Sequence, residues 1–586
     1  SFDRLELSET LNVIMLKIGC DDGWPEVEAI SYDISYKSNS LFKKDLNYFD
    51  GLMPLYPGYD LPFFKYMSKH ESILSASCRK PHGADVPKGN NDALAAFDKR
   101  IEENINTLKL PSLLFLTGDQ IYADDVEPSF AEFIANESKK LFPQEAIPQV
   151  QDTNSLNRIR FDGRDQILTK ENGFYSESKN CHLIGFREFF IMYAAVWGGI
   201  NTTLKSPQLG IHEEHNLRQG NQRKYLSYVN KLRKHRKVVG FLKQSQRVRR
   251  LMAHISTYMM FDDHEVTDDW NLNKKISVKL SSDGGIGQRV VTNALASFTV
   301  FQAWGNDPEN LSPLIFENIS SYLKGISSYS STSTAKTFKE LNKSFTFIVP
   351  SNPPALVVDT RTQRAFEGGR VALVDDNEMD NIRNKLSLLE QGKIASLILV
   401  SPAPVYGFTP VELMQLKSLN KTPDQSAKVD AECWIANEQQ MSKFIKSMQL
   451  LPHLKDCYIF SGDVHYGFCR LEEVERENSG SNTHFWQFTS SSISNKPVGV
   501  ISAGLKLLHK YVVMGVKFPF FRKTSPYLLP KKHKNDFLTG QINLGLLKLK
   551  DDEMNEFMLL RQLPNGKWSD WKYDLRDPVR LNNPDG

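Results

Sequence analysis

Leu113-Leu114-Phe115-Leu116-Thr117-Gly118-Asp119-Gln120-Ile121-Tyr122-Ala123-Asp124 is the stretch on which the reading of this chain turns. Four apolar residues in succession, closed by a glycine and then by carboxylates, read as a buried strand whose end delivers polar side chains into a cleft. Two further stretches repeat the pattern. Tyr258 to Phe261 runs into Asp262-Asp263-His264-Glu265, and Tyr458 to Phe460 runs into Ser461-Gly462-Asp463-Val464-His465. Apolar strands alternating with segments of helical spacing predict an α/β chain whose site assembles at the carboxyl ends of the strands.

Working outward, Leu11 to Ile18 and Ala29 to Tyr36 read as strands ahead of a Gly/Pro/Tyr-rich loop from Gly51 to Pro62, so residues 1–71 form a small β-rich N-terminal segment. Ser72 to Ser77 is a short strand ending at Cys78, and Asn91 to Leu108 has helical spacing. A charged, mostly helical insertion follows at about 126–252, set over the site. It holds the acid-free stretch from Arg223 to Arg250, in which Lys231 to Lys237 reads as a solvated helix face able to steer anionic substrates. Downstream, Gly287 to Trp304 is helical in pattern, Leu356 to Asp359 and Ser396 to Val400 are buried strands, and Ser327 to Ser333 is a Ser/Thr-rich loop. The core spans 72–500. An extension over 501–586, with strands at Gly545 to Leu549 and Glu556 to Arg561 and a turn at Asn565-Gly566, completes a sheet.

Composition narrows the function classes. With 72 Lys plus Arg against 69 Asp plus Glu, net charge gives no global attraction to nucleic acid or anionic lipid, so nucleic acid enters only as a candidate substrate. No segment reaches the roughly 18 uninterrupted apolar residues of a membrane span; Phe189 to Ile200 comes nearest and is too short. Between 505 and 534 cations interleave with Tyr511, Val512, Phe518, Phe520 and Phe521, which suits peripheral membrane contact, although an ordinary packed extension is the simpler reading. Six dispersed cysteines favour reduced thiols over a disulfide scaffold. The chain opens at Ser1 with no basic and apolar leader, so the expectation is a cytoplasmic protein, or an exported one whose signal has been removed.

The three motifs carry the donor types of a two-metal phosphoester hydrolase. Asp119 after its glycine can place one carboxylate oxygen on each of two cations and is the bridging candidate. Tyr122, three residues on, supplies a phenolate suited to ferric iron. Asp263 and Asp463 are hard oxygen donors for calcium, magnesium or manganese, His465 adds a nitrogen donor, and Cys78 offers a thiolate. His264 is the candidate that hydrogen-bonds a phosphoryl oxygen or protonates the leaving alkoxide, with Glu265 orienting its ring. A hydroxide made available by metal-lowered water acidity serves as nucleophile, so no Ser, Cys or Thr nucleophile is required. Arg361, in Asp359-Thr360-Arg361-Thr362-Gln363-Arg364, either presents a bidentate fork to phosphate or ties a loop to a carboxylate.

Taken together, Ser77-Cys78-Arg79, the stretch from Gly118 to Asp124, Asp262 to Trp270, Asp359 to Arg364 and Ser461 to His465 resemble, in order, the motifs of the alkaline phosphatase D (PhoD-like) family of calcineurin-like metallophosphoesterases, over roughly residues 72–495. The resemblance implies a four-layer αββα sandwich, phosphomonoesterase or phosphodiesterase activity, and a ferric iron and calcium pair, with manganese, magnesium and zinc as alternatives. By motif position it sets Cys78, Asp119, Tyr122 and His465 around iron, and Asp119, Asp263 and Asp463 towards calcium. The Asp-x-His opening of the wider superfamily is absent, with Cys78 in its place, and Val400 to Phe408 holds no middle histidine. Water or Asp262 is left to complete the coordination. A phosphate mono- or diester is the expected substrate; the alternative is a gated phosphate- or phospholipid-binding protein that keeps the metal site.

Overall fold

The computed structural model describes residues 2–580 except 10, 22, 26–28, 37–38, 43–51, 67–69, 84–91, 106–109, 201, 208–217, 219–221, 369, 422–431, 477–480, 495–525, 533–535, 551–552 and 564. Its architecture is mixed α/β, with two large mixed sheets. In chain order the strands of these sheets are β1 (Ser72–Ala76), β2 (Leu113–Leu116), β3 (Ser256–Met259), β4 (Phe347–Val349), β5 (Ala355–Val357), β6 (Ser396–Val400), β7 (Asp456–Ser461), β8 (Gly467–Glu475), β9 (Asn482–Thr489), β10 (Leu538–Thr539), β11 (Asn543–Lys550), β12 (Glu553–Gln562) and β13 (Trp568–Asp574).

The first sheet runs β3-β2-β1-β11-β12-β13, and the second β4-β5-β6-β7-β9-β8-β10. β1, β2 and β3 are parallel, in the register Ile73 opposite Leu113 and Leu113 opposite Ser256. In the second sheet β5, β6, β7 and β9 are parallel, with Val400 level with both Val357 and Phe460. These registers set the carboxyl ends of β1, β2 and β3 side by side, and do the same for β5, β6 and β7.

Burial on both faces explains why these strands read as unbroken apolar runs rather than as alternation. Ile73 and Phe115 of the first sheet share one buried cluster with Val357, Val400 and Phe460 of the second. The intervening residues Leu74, Leu114 and Leu116 pack instead with Phe97 of helix Ala93–Glu103 and with Val248 and Leu251 of helix Gln222–Met252. On the second sheet Leu397, Leu399 and Ile459 pack with Met379 and Ile382 of helix Asp376–Glu390 and with Phe444 of helix Glu438–Ser447.

Segment 126–252 is built into the protein rather than merely laid over it. Phe130 and Ile134 of helix Pro128–Leu141, Phe189 and Met192 of helix Phe186–Val196, and Val238 and Phe241 of helix Gln222–Met252 share a large cluster with Val290 and Leu295 of helix Ile286–Phe298. The apolar run from Phe189 is thus a core helix. The N-terminal segment is β-rich, in small two-stranded pairings of Phe2–Glu6 with Asn12–Leu16, Ala29–Ser31 with Phe63–Lys65, and Ser35–Tyr36 with Asn39–Ser40. One expected loop is partly a helix. Ser331–Leu341 is helical because Ser330 caps it, its hydroxyl accepting the Ser333 N–H at 3.2 Å, so the Ser/Thr run is an N-terminal signal rather than a linker. Among the described residues no helix is long and apolar enough to cross a membrane. The 505–534 stretch falls largely outside the described residues.

Candidate metal centre

Each motif stands where its strand stops. Cys78 follows β1, Asp119 follows β2, Asp263 follows β3, Asp463 and His465 follow β7, and Arg361 follows β5. To turn their side chains into the cleft, Cys78, Asp463 and His465 adopt positive φ values of 55°, 62° and 60°. Left-handed backbone at a non-glycine residue costs on the order of 1–3 kcal/mol, and such residues gather where function demands a fixed direction.

The donors meet in two overlapping groups. One atom each from Cys78, Asp119 and Asp463 lie within 4.8 Å of one another, and so do atoms of Asp119, Asp263 and His264. Asp119 belongs to both. Its Oδ1 accepts the His264 backbone N–H at 3.3 Å, while its Oδ2 is buried and has no hydrogen-bond partner. Asp262 Oδ2 is likewise buried without a partner. An orphaned carboxylate oxygen is expensive to bury, and a cation is the partner that would satisfy it. Burial first, then the charges of Asp262 and Asp263 acting against that of His264, holds the Asp119 carboxyl well above its ordinary range. Burial does the same to Asp463, with Asp262 and Glu432 adding, and to the Cys78 thiol, with Asp119 and Asp463 adding. The donor set fits cations: carboxylate oxygens in both groups, joined by the Cys78 sulfur in the first and the His264 imidazole in the second.

His465 belongs to neither group. Its backbone N–H donates to Ser491 Oγ at 3.1 Å, and burial, then the charges of His264 and Lys80, hold its ring at a pKa of about 3, so it is neutral. Tyr122 is buried and its ring packs on that of His264, centroids 4.2 Å apart, with Lys80 Nζ 5.1 Å from the Tyr122 centroid.

His264 is oriented by Asp124, not by Glu265. Its Nδ1 lies 2.7 Å from Asp124 Oδ1, and Ser176 Oγ donates to the other Asp124 oxygen at 2.6 Å. Burial opposes a charged imidazole, but Asp124, Asp119 and Asp263 outweigh it and raise His264 well above its ordinary value. Glu265 instead caps the turn Asp263–Glu265, accepting the backbone N–H groups of Gln120 at 2.9 Å and Asp262 at 3.3 Å. It thereby ties the ends of β2 and β3 together, because a carboxylate is the acceptor that exposed turn N–H groups need.

For Arg361, of its two readings, the geometry supplies the tie to carboxylates. Nε and Nη2 donate to Asp262 Oδ1 at 3.0 and 2.5 Å, Nη2 lies 3.5 Å from Asp263 Oδ1, and Nη1 lies 2.6 Å from Glu432 Oε2. The side chain is buried, and Arg364 shares Glu432 at 2.8 Å.

Two glycines let the strand ends close. A Cβ at Gly462 would lie 1.9 Å from Ser77 Oγ and 2.1 Å from Ser77 Cβ, and one at Gly118 would lie 2.6 Å from the same Oγ. Ser77 Oγ in turn accepts the Asp463 N–H at 3.1 Å. Asp124, Ser77, Ser176 and Glu432 are thus parts of the site that the motifs alone did not single out. Asp124 lay inside the decisive stretch, whereas Glu432 carried no local signal.

No family model matches the sequence, and no curated protein matches it. Among solved structures the chain is similar to one titled "Structure of PhoD", with 12% identity, covering 88% of this chain and 72% of that one, at a TM-score of 0.41.

Proposed function

We propose that the protein is a metal-dependent phosphoester hydrolase, a phosphatase or phosphodiesterase. The observation that carries the reading is the position of Asp119, common to two groups of buried donors and holding an unsatisfied oxygen. Cys78, Asp119 and Asp463 would hold one cation, with Tyr122 and His465 as its further candidates, and Asp119 and Asp263 a second. Ferric iron and calcium are our proposed pair. Bound there, such a pair would supply charge neutralisation for phosphoryl oxygens and a more acidic water. The architecture is read as a four-layer αββα sandwich, supported by the division of each sheet's residues between an inter-sheet cluster and a helix-facing cluster.

The chain's own residues do the rest. His264, kept protonated by Asp124, is placed to give its proton to the departing alkoxide, and Asp124 then stabilises the neutral ring in one orientation. Arg361 keeps Asp262 and Asp263 in place, so their carboxylates are preorganised rather than gathered at each turnover.

Elemental analysis and turnover of p-nitrophenyl phosphate and bis-p-nitrophenyl phosphate test this together. Asp119→Asn is expected to lose both metal equivalents and all turnover, whereas Asp463→Asn loses one equivalent. A protein that hydrolyses neither ester while still binding phosphate would be the gated binder instead. Full activity in Asp119→Asn would remove the shared-ligand reading.

A further inference from the structure

The imidazole of His264 has a carboxylate at each nitrogen. Asp124 holds Nδ1, and Asp268, four residues on in the chain, sets its Oδ1 3.8 Å from Nε2. The turn that carries Asp268 is anchored on both sides. The Thr267 N–H donates to the Asp263 carbonyl at 2.8 Å, the Asp269 N–H to Asp263 Oδ2 at 2.9 Å, and the Trp270 N–H to the Thr267 carbonyl at 3.0 Å. Trp270 is buried against Phe261, ring centroids 5.4 Å apart. Asp269 and Asn271 turn the chain with φ values of 65° and 58°, a region that Asp and Asn enter more readily than other residues with a side chain. The Asp268 side chain, 46% exposed, is what this anchored turn presents to the open side of the ring.

Because Nδ1 is engaged by Asp124, a proton given up by the ring leaves from Nε2. A departing oxygen must come within about 3 Å of Nε2 to take it, which brings the leaving alcohol to within about 7 Å of Asp268 Oδ1. Among the described residues the Asp268 carboxylate accepts no hydrogen bond, and 3.8 Å is too long for one to Nε2. The other cations near the centre are committed. Lys80 is held by Asp125 at 2.5 Å, and Arg361 is buried between Asp262 and Glu432. As the phosphorus–oxygen bond breaks and the proton passes to the alkoxide, the imidazolium charge disappears, and the alcohol is left facing a carboxylate.

We infer that Asp268 determines which alcohol can leave, so that the substrate class is a phosphate ester whose alcohol carries an ammonium group a few atoms from the ester oxygen, with anionic alcohols disfavoured. This rests on the phosphoester hydrolase reading above, which it deepens. Asp268 is a specificity residue in this account: the proton comes from His264, and Asp268 acts on the far end of the alcohol. A half-exposed carboxylate at such a separation discriminates by about tenfold per unit of charge, between the strong coupling of an interior and the weak coupling of bulk water.

The test compares 2-aminoethyl, propyl and 2-carboxyethyl phosphate, which differ in the charge at the far end of the alcohol, on the metal-loaded full chain. Burial lifts the Asp268 carboxyl to about 7, so the assay is run at about pH 8.5, where it is ionised and the amine is still charged. In the first arm kcat/KM is read from phosphate release. The aminoethyl ester should exceed the propyl ester by about tenfold, and the propyl ester the carboxyethyl ester by about the same factor. Asp268→Asn should bring the three values together, and Asp268→Glu should keep their order. In the second arm titration calorimetry gives the affinity of each ester. If none is hydrolysed while the affinities keep that order in wild type and lose it in Asp268→Asn, the hydrolase reading fails and the subsite stands. A residue that merely steadies the His264 ring would, when changed to Asn, lower all three esters by one factor. That result, or equal values for the three esters in wild type in both arms, would overturn the subsite.

Discussion

Gly462→Ala is the substitution whose consequence the geometry fixes most tightly. The added methyl would stand 2.1 Å from Ser77 Cβ and 1.9 Å from Ser77 Oγ, with Thr117 Oγ1 at 3.0 Å. Carbon atoms rest at about 3.5–4.0 Å, so the ends of β1 and β7 must part by about 1.5 Å. Ser77 cannot rotate out of the way, because the clash includes its Cβ. Overpacking of this kind costs about 1–3 kcal/mol, and losing the Asp463 N–H to Ser77 Oγ hydrogen bond adds about 1 kcal/mol. The larger effect is on the centre. Cys78 and Asp463 belong to one group of donors and ride on these two strand ends, and metal–ligand distances tolerate only about 0.2 Å. Gly462→Ala should therefore fold with a lowered thermal midpoint and retain at most one metal equivalent after gel filtration, read by elemental analysis. Ser77→Gly/Gly462→Ala, which removes the obstructing Cβ, should recover metal content despite lacking the hydrogen bond. Wild-type metal content in the single variant, or no recovery in the double, would refute the close-approach argument.

The remaining predictions concern other parts of the site and fold. Asp124→Asn should keep both metals but lower kcat, with the alkaline limb of the pH profile moved to lower pH, because the carboxylate that helps hold His264 protonated is gone; an unmoved limb would separate His264 from the proton transfer. Arg361→Lys should destabilise the protein by about 3–5 kcal/mol, since breaking a buried pair strands the carboxylate of Asp262 while Glu432 keeps Arg364, and denaturant unfolding would register it. Glu102, held at a pKa of about 2 chiefly by its hydrogen bond to Arg250, binds its proton less readily folded than unfolded. The stability it contributes is thus fully present above about pH 4.5 and is lost as pH falls towards about 2, so the gap in urea midpoint between wild type and Glu102→Gln should narrow steadily from about pH 4.5 and close only as pH nears about 2.

Local sequence determined the strands and the identity of the donors. Runs such as Leu113 to Leu116 are apolar at every position because helices bury one face and the other sheet buries the opposite one, and that two-sided demand is written into consecutive residues. The ends of those runs are legible for the same reason: a glycine followed by a carboxylate marks where burial stops. Strands at Phe347–Val349 and Gly467–Glu475 escaped notice because the first is three residues long and the second mixes charged residues into its exposed half. Which acid partners which base was decided only in three dimensions. Glu265 is next to His264 in the chain, yet the turn Asp263–Glu265 points its carboxylate at backbone N–H groups, and Asp124, 140 residues away, receives the imidazole. Arg361 could be read as a phosphate fork until Glu432, from another part of the chain, was found on its second nitrogen. Sequence records what a residue can donate or accept; the pairing depends on which strand ends the parallel registers set side by side, and that is a property of the assembled sheets.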